Sequence, residues 1–279
     1  MSNFLVQWGQ NPWGEEILTH AQWNLVYAAL LFGLCFMIGH TLYVKLWPRP
    51  KGPETAPINE AAAARVPERV KRHSLAARMF HWIMAASMLT LLFTSFAPIL
   101  GWKFDWVQIH WMAGLALTAS IIYHIIHASF WLDFWSIWLN REDVAEATTR
   151  FRRAMGGQAP PPRKAAKYPW DNKMYHTAIV LAALAVVPTG LFMMKRIRTP
   201  LFDRNPYLFS DGTWGVMYVF HGLAGIALVG LTIAHIYFAI RPEKLWITKG
   251  MVFGDISREE FLKHHDPQRW VVDSTSPRA

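Results

Sequence analysis

The stretch that decides the fold is Gly212–Ile240, GTWGVMYVFHGLAGIALVGLTIAHIYFAI, which contains no Asp, Glu, Lys or Arg. About 20 apolar residues are enough to cross the hydrocarbon core of a bilayer as a helix. Within this stretch, His221 and His235 are 14 residues apart. That spacing falls about 40° short of four full helical turns and covers about 21 Å of helix axis. Both rings are therefore predicted to point to nearly the same face, one toward each end of the membrane.

Charge-free runs of similar length occur elsewhere in the chain. Charged residues make up 17% of the sequence and hydrophobic residues 53%, whereas a soluble domain usually carries about 25% charge. The pattern predicts an all-α integral membrane protein with five transmembrane helices. The predicted helices are residues 22–44, 79–100, 107–132, 174–194 and 213–240.

The basic residues are placed unevenly between the predicted loops. Of the 28 Lys and Arg residues, 23 fall in residues 45–78, 141–173 and the segment after Ile240. The positive-inside rule then puts the N-terminus outside and the C-terminus in the cytoplasm, across the inner membrane of a prokaryote. Because topology accounts for the net charge of +9, we expect no nucleic-acid partner.

The first hydrophobic run is predicted to stay as a helix. The first 16 residues contain no Lys or Arg, so they lack the basic region of a secretory signal. The chain has a single cysteine, Cys35. This excludes an internal disulfide and a cysteine-ligated iron–sulfur cluster on this chain.

Histidines are the main polar feature of the charge-free runs. An imidazole in lipid is unfavourable unless it is paired or binds a ligand. The runs hold no carboxylate or basic side chain, which disfavours an ion pump, and a structural zinc site usually adds thiolates. Pairs of neutral imidazoles are what a six-coordinate haem iron needs. Nine of the twelve histidines lie in these runs: His20, His40, His81, His110, His124, His127, His176, His221 and His235.

Ligand partners must lie at matching depths in the membrane. His110 begins the third span and His221 lies in the same half of the fifth span, so they form one candidate pair. His235 has two rival partners, His81 at the start of the second span and His124 on the third. Sequence geometry leaves this choice open. Small residues that let a flat macrocycle approach are expected on or beside the histidine face of the fifth span: Gly222, Ala224, Gly225 and Thr232.

The ordered motifs resemble a known family. Arg78-Met-Phe-His81-Trp82 is followed by Ile109-His110, then by His221 and His235. The tail has Gly250-Met-Val-Phe-Gly254 and His264-His-Asp-Pro-Gln-Arg-Trp270. Over about residues 75–270, this set resembles the gamma subunit of respiratory formate dehydrogenases and related membrane cytochromes b.

The resemblance implies a four-helix bundle that binds two b haems. It implies His110 and His221 as ligands of the outer haem, and His81 and His235 as ligands of the inner haem. It also implies a mobile quinone near the inner haem, an iron–sulfur subunit and a catalytic oxidoreductase subunit as partners, and no substrate-level catalysis on this chain alone. The candidate quinone contacts are His176, Asn172 and His235, although Pro169 replaces an Asn of the family's loop.

The chain departs from that family by its additional N-terminal span. His40, His124 and His127 lie beyond the minimal ligand set and leave room for a third haem. The alternative functions are a stand-alone transmembrane haem reductase and a haem-free membrane anchor. His20, His73, His264 and His265 are expected to be surface or interfacial residues rather than ligands, and the basic loop 195–213 is a candidate docking surface.

These predictions divide the chain into four segments. They are an extracytoplasmic N-terminus with the extra helix (1–46), an irregular cytoplasmic linker (47–77), the di-haem core (78–245) and a polar cytoplasmic tail (246–279). The loop 141–172 is expected to be mobile.

Overall fold

The structure is a computed structural model that describes residues 3–46, 55, 57–161 and 163–272. Within these residues, five helices are long and apolar enough to cross a membrane. The elements in chain order are β1 (Val6–Gln10), β2 (Glu16–Ala21), α1 (Asn24–Leu46), α2 (Glu60–Ala64), β3 (Arg69–Lys71), α3 (Leu75–Phe96), α4 (Trp106–Trp131), α5 (Arg141–Ala154), α6 (Trp170–Met193), α7 (Asp211–Ile240), α8 (Leu245–Phe253), β4 (Asp255–Ser257) and α9 (Arg258–His264).

The five predicted spans are confirmed as α1, α3, α4, α6 and α7. Only 11–17% of each apolar window is buried inside the protein, so most of these side chains need lipid around them. The main differences are at the starts of α3 and α6 and at the end of α3, each of which comes four residues earlier than predicted. Helix α3 begins before the apolar run because Arg78, in its first turn, donates from Nη1 to the Val252 carbonyl at 2.6 Å. Polar residues satisfied in this way extend a helix beyond its membrane-spanning part.

The chain divides into two compact units, and the first contains residues 1–42, 81–122 and 179–237. It opens with an antiparallel hairpin of β1 and β2, which has an irregularity between Gln7 and Trp8. This hairpin packs closely on α7. A Cβ at Gly215 would lie 2.1 Å from the Leu18 carbonyl oxygen, so only glycine allows the contact. The sequence pattern did not predict this hairpin.

The added helix α1 also packs on α7 within the first unit. A Cβ at Gly33 would lie 3.0 Å from atoms of the Ile233 side chain. One turn further along α7, the Tyr237 hydroxyl lies 2.9 Å from His40 Nδ1 and 2.9 Å from Thr41 Oγ1. Because residues 233 and 237 share a face that points away from position 235, α1 lies on the side of α7 opposite His235.

The second unit contains residues 43–80, 123–178 and 238–279. Its apolar core consists of Val66, Val70, Ile256 and Phe261, and β3 pairs antiparallel with β4. The predicted linker begins at 47–54, which lies outside the described residues together with 56. Its later part is ordered as α2 and β3, and most of the predicted tail is ordered as α8, β4 and α9. The later part of the linker, which was expected to be irregular, therefore contributes Val66 and Val70 to a packed core.

Part of the loop 141–172 is helical. Helix α5 begins with a capping box formed by Asn140 and Asp143. The Asp143 carboxylate also accepts a hydrogen bond from Lys173 Nζ at 2.7 Å, and both side chains are buried. These paired charges anchor α5 within the second unit, contrary to the expected mobility; Pro162 lies outside the described residues.

Candidate haem site

Helix α7 supplies one histidine to each of two facing ring pairs in the first unit. The first pair is His110 of α4 and His221 of α7, whose ring centroids are 6.3 Å apart with 66° between the planes. The second pair is His81 of α3 and His235 of α7, at 6.2 Å and 52°. The structure thus brings together the four residues that the resemblance implied as ligands.

The separation of the rings fits a metal placed between them. A metal–imidazole bond is about 2 Å long, so two opposed rings that share one ion have centroids about 6 Å apart. Among the described residues, no group of three or more His, Cys, Asp or Glu could hold a metal ion, which argues against zinc. A haem iron needs only two imidazoles from the protein, because the porphyrin supplies its other ligands.

Each ring of the first pair is held by a threonine. His110 Nδ1 lies 2.8 Å from Thr94 Oγ1 of α3, and His221 Nδ1 lies 3.0 Å from Thr189 Oγ1 of α6. Because Nδ1 is engaged on one side of each ring, Nε2 lies on the opposite side and is available to a metal. Sequence reasoning did not identify either threonine as a contact of these rings.

The second pair has a different aromatic environment. The indole of Trp82 lies edge-on to His81, with ring centroids 5.2 Å apart. Sequence reasoning left His81 and His124 as rival partners of His235. In the structure the ring of His81 faces His235, whereas His124, in the second unit, stacks on Phe80 at 4.2 Å with 7° between the planes.

Not all of the small residues of α7 lie on the histidine face, where they were expected to make room for a flat ligand. Gly225 follows His221 by about one turn, and nothing lies within 4 Å of a Cβ built there. Gly222 differs, because its Cβ would lie 3.1 Å from Ala21 of the hairpin. Gly225 therefore fits a flat ligand between the helices, and Gly222 serves hairpin packing.

The other candidate ligands make contacts of their own. His127 stacks between Tyr123 and Trp131 at centroid distances of 5.6 Å and 5.9 Å. His40 is hydrogen-bonded to Tyr237. The ring contacts of His127 are with Tyr123 and Trp131, and the ring of His40 also lies near Phe36.

The predicted quinone contacts are divided between the units. His235 lies in the first unit, while Asn172 and His176 lie in the first turns of α6 in the second unit. The rings of His176 and Trp138 meet edge-on at 5.2 Å. Among the described residues, His176 Nδ1 and Trp138 Nε1 are buried without a hydrogen-bond partner. Sequence reasoning did not assign Trp138 to this site.

His265 lies in the core of the second unit, so its expected surface position is wrong. Arg72 Nη1 donates to His265 Nε2 at 2.9 Å, and His265 Nδ1 lies 2.7 Å from the Ala166 carbonyl. The guanidinium of Arg72 also lies over the rings of Trp246 and Trp270. Burial, together with the Arg72 charge, lowers the pKa of His265 to about 3. Burial likewise lowers the pKa of Arg72 to about 10.

Comparison with known proteins places this site in a family. The family model described as prokaryotic cytochrome b561 matches residues 72–254. That range includes all four facing histidines and Thr94 and Thr189, and it leaves out the hairpin and α1. Comparison with curated proteins gave no match.

Proposed function

We propose that this chain, which belongs to the prokaryotic cytochrome b561 family, passes electrons through two bis-histidine b haems. Family membership and the five helices make it a multi-pass membrane protein that binds haem b and transfers electrons.

The two facing histidine pairs on α7 carry the proposal. His110 and His221 would hold one haem, and His81 and His235 the other. A bis-histidine haem cycles between ferric and ferrous iron and leaves no iron position open to a substrate. The histidines of α7 are about 21 Å apart along the helix axis, so the pairs would stack two redox centres across the membrane. This arrangement suits electron transfer between two haems rather than the binding of a substrate.

We further propose that the chain is the cytochrome b subunit of a multi-subunit oxidoreductase of the formate dehydrogenase gamma type. An iron–sulfur subunit and a catalytic subunit would exchange electrons with one haem. Arg198 and Arg204 are exposed residues of the loop between α6 and α7 and offer a basic docking surface. Lys195 and Arg196 are less available, because they lie over the rings of Phe202 and Trp214.

A quinone would exchange electrons with the haem of His81 and His235. Trp138 Nε1 can donate a hydrogen bond to a quinone carbonyl, and His176 can donate another from Nδ1. These buried atoms lack a partner among the described residues, which supports a polar ligand at this place. Asn172, one turn before His176, is a further candidate contact.

The placement of basic residues supports the topology that goes with this function. Lys45 at the end of α1, Arg78 in the first turn of α3 and Arg241 after α7 follow the positive-inside rule for a cytoplasmic face. We propose a prokaryotic inner membrane, with the hairpin outside and α8 and α9 on the cytoplasmic side.

Reduction by a soluble quinol, followed through the visible absorption of haem, tests this function in the purified protein. We expect the quinol to reduce the wild-type haems, and we expect His176→Ala and Trp138→Phe to slow that reduction at least about tenfold. The spectrum after dithionite reduction should stay unchanged. Trp135→Phe is the matched control, since Trp135 is 77% exposed in the short 3-10 helix Phe134–Ile137, which Trp138 directly follows. Haems that dithionite reduces and no quinol reduces would contradict the quinone role.

A further inference from the structure

Thr94 and Thr189 contact the rings of the first pair in the same way from two different helices. Thr94 of α3 meets His110 of α4, and Thr189 of α6 meets His221 of α7. In both contacts the threonine Oγ1 lies within 3.0 Å of the imidazole Nδ1. Thr94 is 1% exposed, so water does not compete for its hydroxyl. The repeated arrangement suggests that the hydroxyl groups act on the rings.

The direction of these hydrogen bonds follows from the single proton of each hydroxyl. Thr94 Oγ1 lies 2.8 Å from the Thr90 carbonyl of its own helix, and Thr189 Oγ1 makes the equivalent bond to the Ala185 carbonyl. A carbonyl can only accept, so each hydroxyl donates its proton to the helix backbone. Its lone pairs then face the imidazole, and Nδ1 must be the donor.

This direction fixes the tautomer of both histidines. An imidazole that donates from Nδ1 keeps the lone pair of Nε2 free to bind a metal. A hydrogen bond accepted from the far nitrogen also increases the basicity of the coordinating one. Gly190, next to Thr189, leaves room for the ring in this position, because a Cβ there would lie 3.2 Å from His221 Cε1.

We propose that Thr94 and Thr189 are positioning residues that hold His110 and His221 as Nδ1–H tautomers. The two threonines thereby lower the reduction potential of the haem that these histidines bind. The proposal rests on the ligand assignment made under the proposed function. More basic ligands stabilise ferric iron, so the haem of the first pair is made harder to reduce than it would be without the two hydroxyls.

Potentiometric titration of the purified, haem-loaded protein tests the proposal with Thr94→Val and Thr189→Val, which keep the side-chain shape. We expect one of the two midpoint potentials to rise in each variant, the other to stay unchanged, and the double variant to shift further. Affinity for the affected haem should fall about 10- to 100-fold. Thr94→Ser and Thr189→Ser should restore the wild-type potential because they keep the hydroxyl.

Thr118→Val is the matched control, since the Thr118 hydroxyl donates to the Gly114 carbonyl within α4, and it should leave both potentials unchanged. Unchanged potentials in both valine variants would overturn the proposal, as would a loss of one haem that serine does not restore. The ligand assignment fails separately, if His110→Ala and His221→Ala retain both haems. If those variants each lose one haem while the valine variants titrate as wild type, the role of the threonines alone is wrong.

Discussion

The first and second histidine pairs have nearly the same separation and quite different surroundings. Their ring centroids are 6.3 Å and 6.2 Å apart. In the first pair, both rings are tied through Nδ1 to threonine hydroxyls. In the second, the Trp82 indole lies against His81, and α1 supports the opposite side of the α7 segment that carries His235. The spacing of the histidines can give two similar pairs, while we expect their neighbours to make the two proposed sites unequal in haem affinity and reduction potential.

The largest expected effect is the loss of one site without the other. We expect His221→Ala to leave one haem b per chain, bound by the second pair, because the remaining imidazole alone holds a haem weakly. Difference spectra and haem content of the purified variant measure this. His20→Ala is a suitable control, since His20 stacks on Trp23 near the hairpin and faces no imidazole in the described part of the chain. A variant that loses both haems would show that the pairs are not independent.

A second comparison concerns the partner of His235. We expect His81→Ala to lose one haem and His124→Ala to keep both, since His81 faces His235 and His124 is stacked on Phe80. Haem content and the number of steps in a redox titration distinguish the variants. The reverse result would make His124, and not His81, the partner of His235, and the second pair would then not be equivalent to the first.

A smaller effect, confined to the first pair, is expected from Gly190→Ala. The new methyl group would approach His221 Cε1 to 3.2 Å and shift the ring, whereas alanine by itself favours a helix by about 1 kcal/mol over glycine. The first haem should therefore bind more weakly although α6 gains helix propensity. Gly230→Ala on α7 is the control, because nothing lies within 4 Å of its Cβ position. Equal haem affinity in the two variants would contradict the close contact.

The smallest effect on the protein is expected from a substitution on the side of α7 opposite His235, where α1 packs. Tyr237→Phe removes the hydroxyl that contacts His40 and Thr41, and we expect it to lower the free energy of unfolding by about 1 kcal/mol. Detergent-induced unfolding in mixed micelles measures the change. Tyr27→Phe, on an exposed position of α1, should have little effect. Equal stability of the two variants would show that the Tyr237 contact does not hold α1 in place.

The sequence predicted the parts of the molecule that depend on periodicity. Long charge-free runs can only be spanning helices, and the 14-residue spacing of His221 and His235 places both rings on one face. The hairpin was missed because it is stabilised by packing on Gly215 and Gly222, which no local pattern reveals. Gly222 was assigned to the ligand face for the same reason.

Other features were missed because they depend on contacts between distant segments. His265 lies in a polar stretch and was expected at the surface, but Arg72 and Trp270 enclose it. The hydroxyl of Thr94 resembles any intrahelical threonine in the sequence. Only the packing of α3 beside α4 brings it to His110.

The most direct test of the central claim is the haem b content of the purified full-length chain, measured as pyridine haemochrome per polypeptide. Two haems per chain is the predicted result, one for each facing histidine pair. A well-folded protein that retains a single haem, or none, would contradict the claim that each facing histidine pair binds a haem.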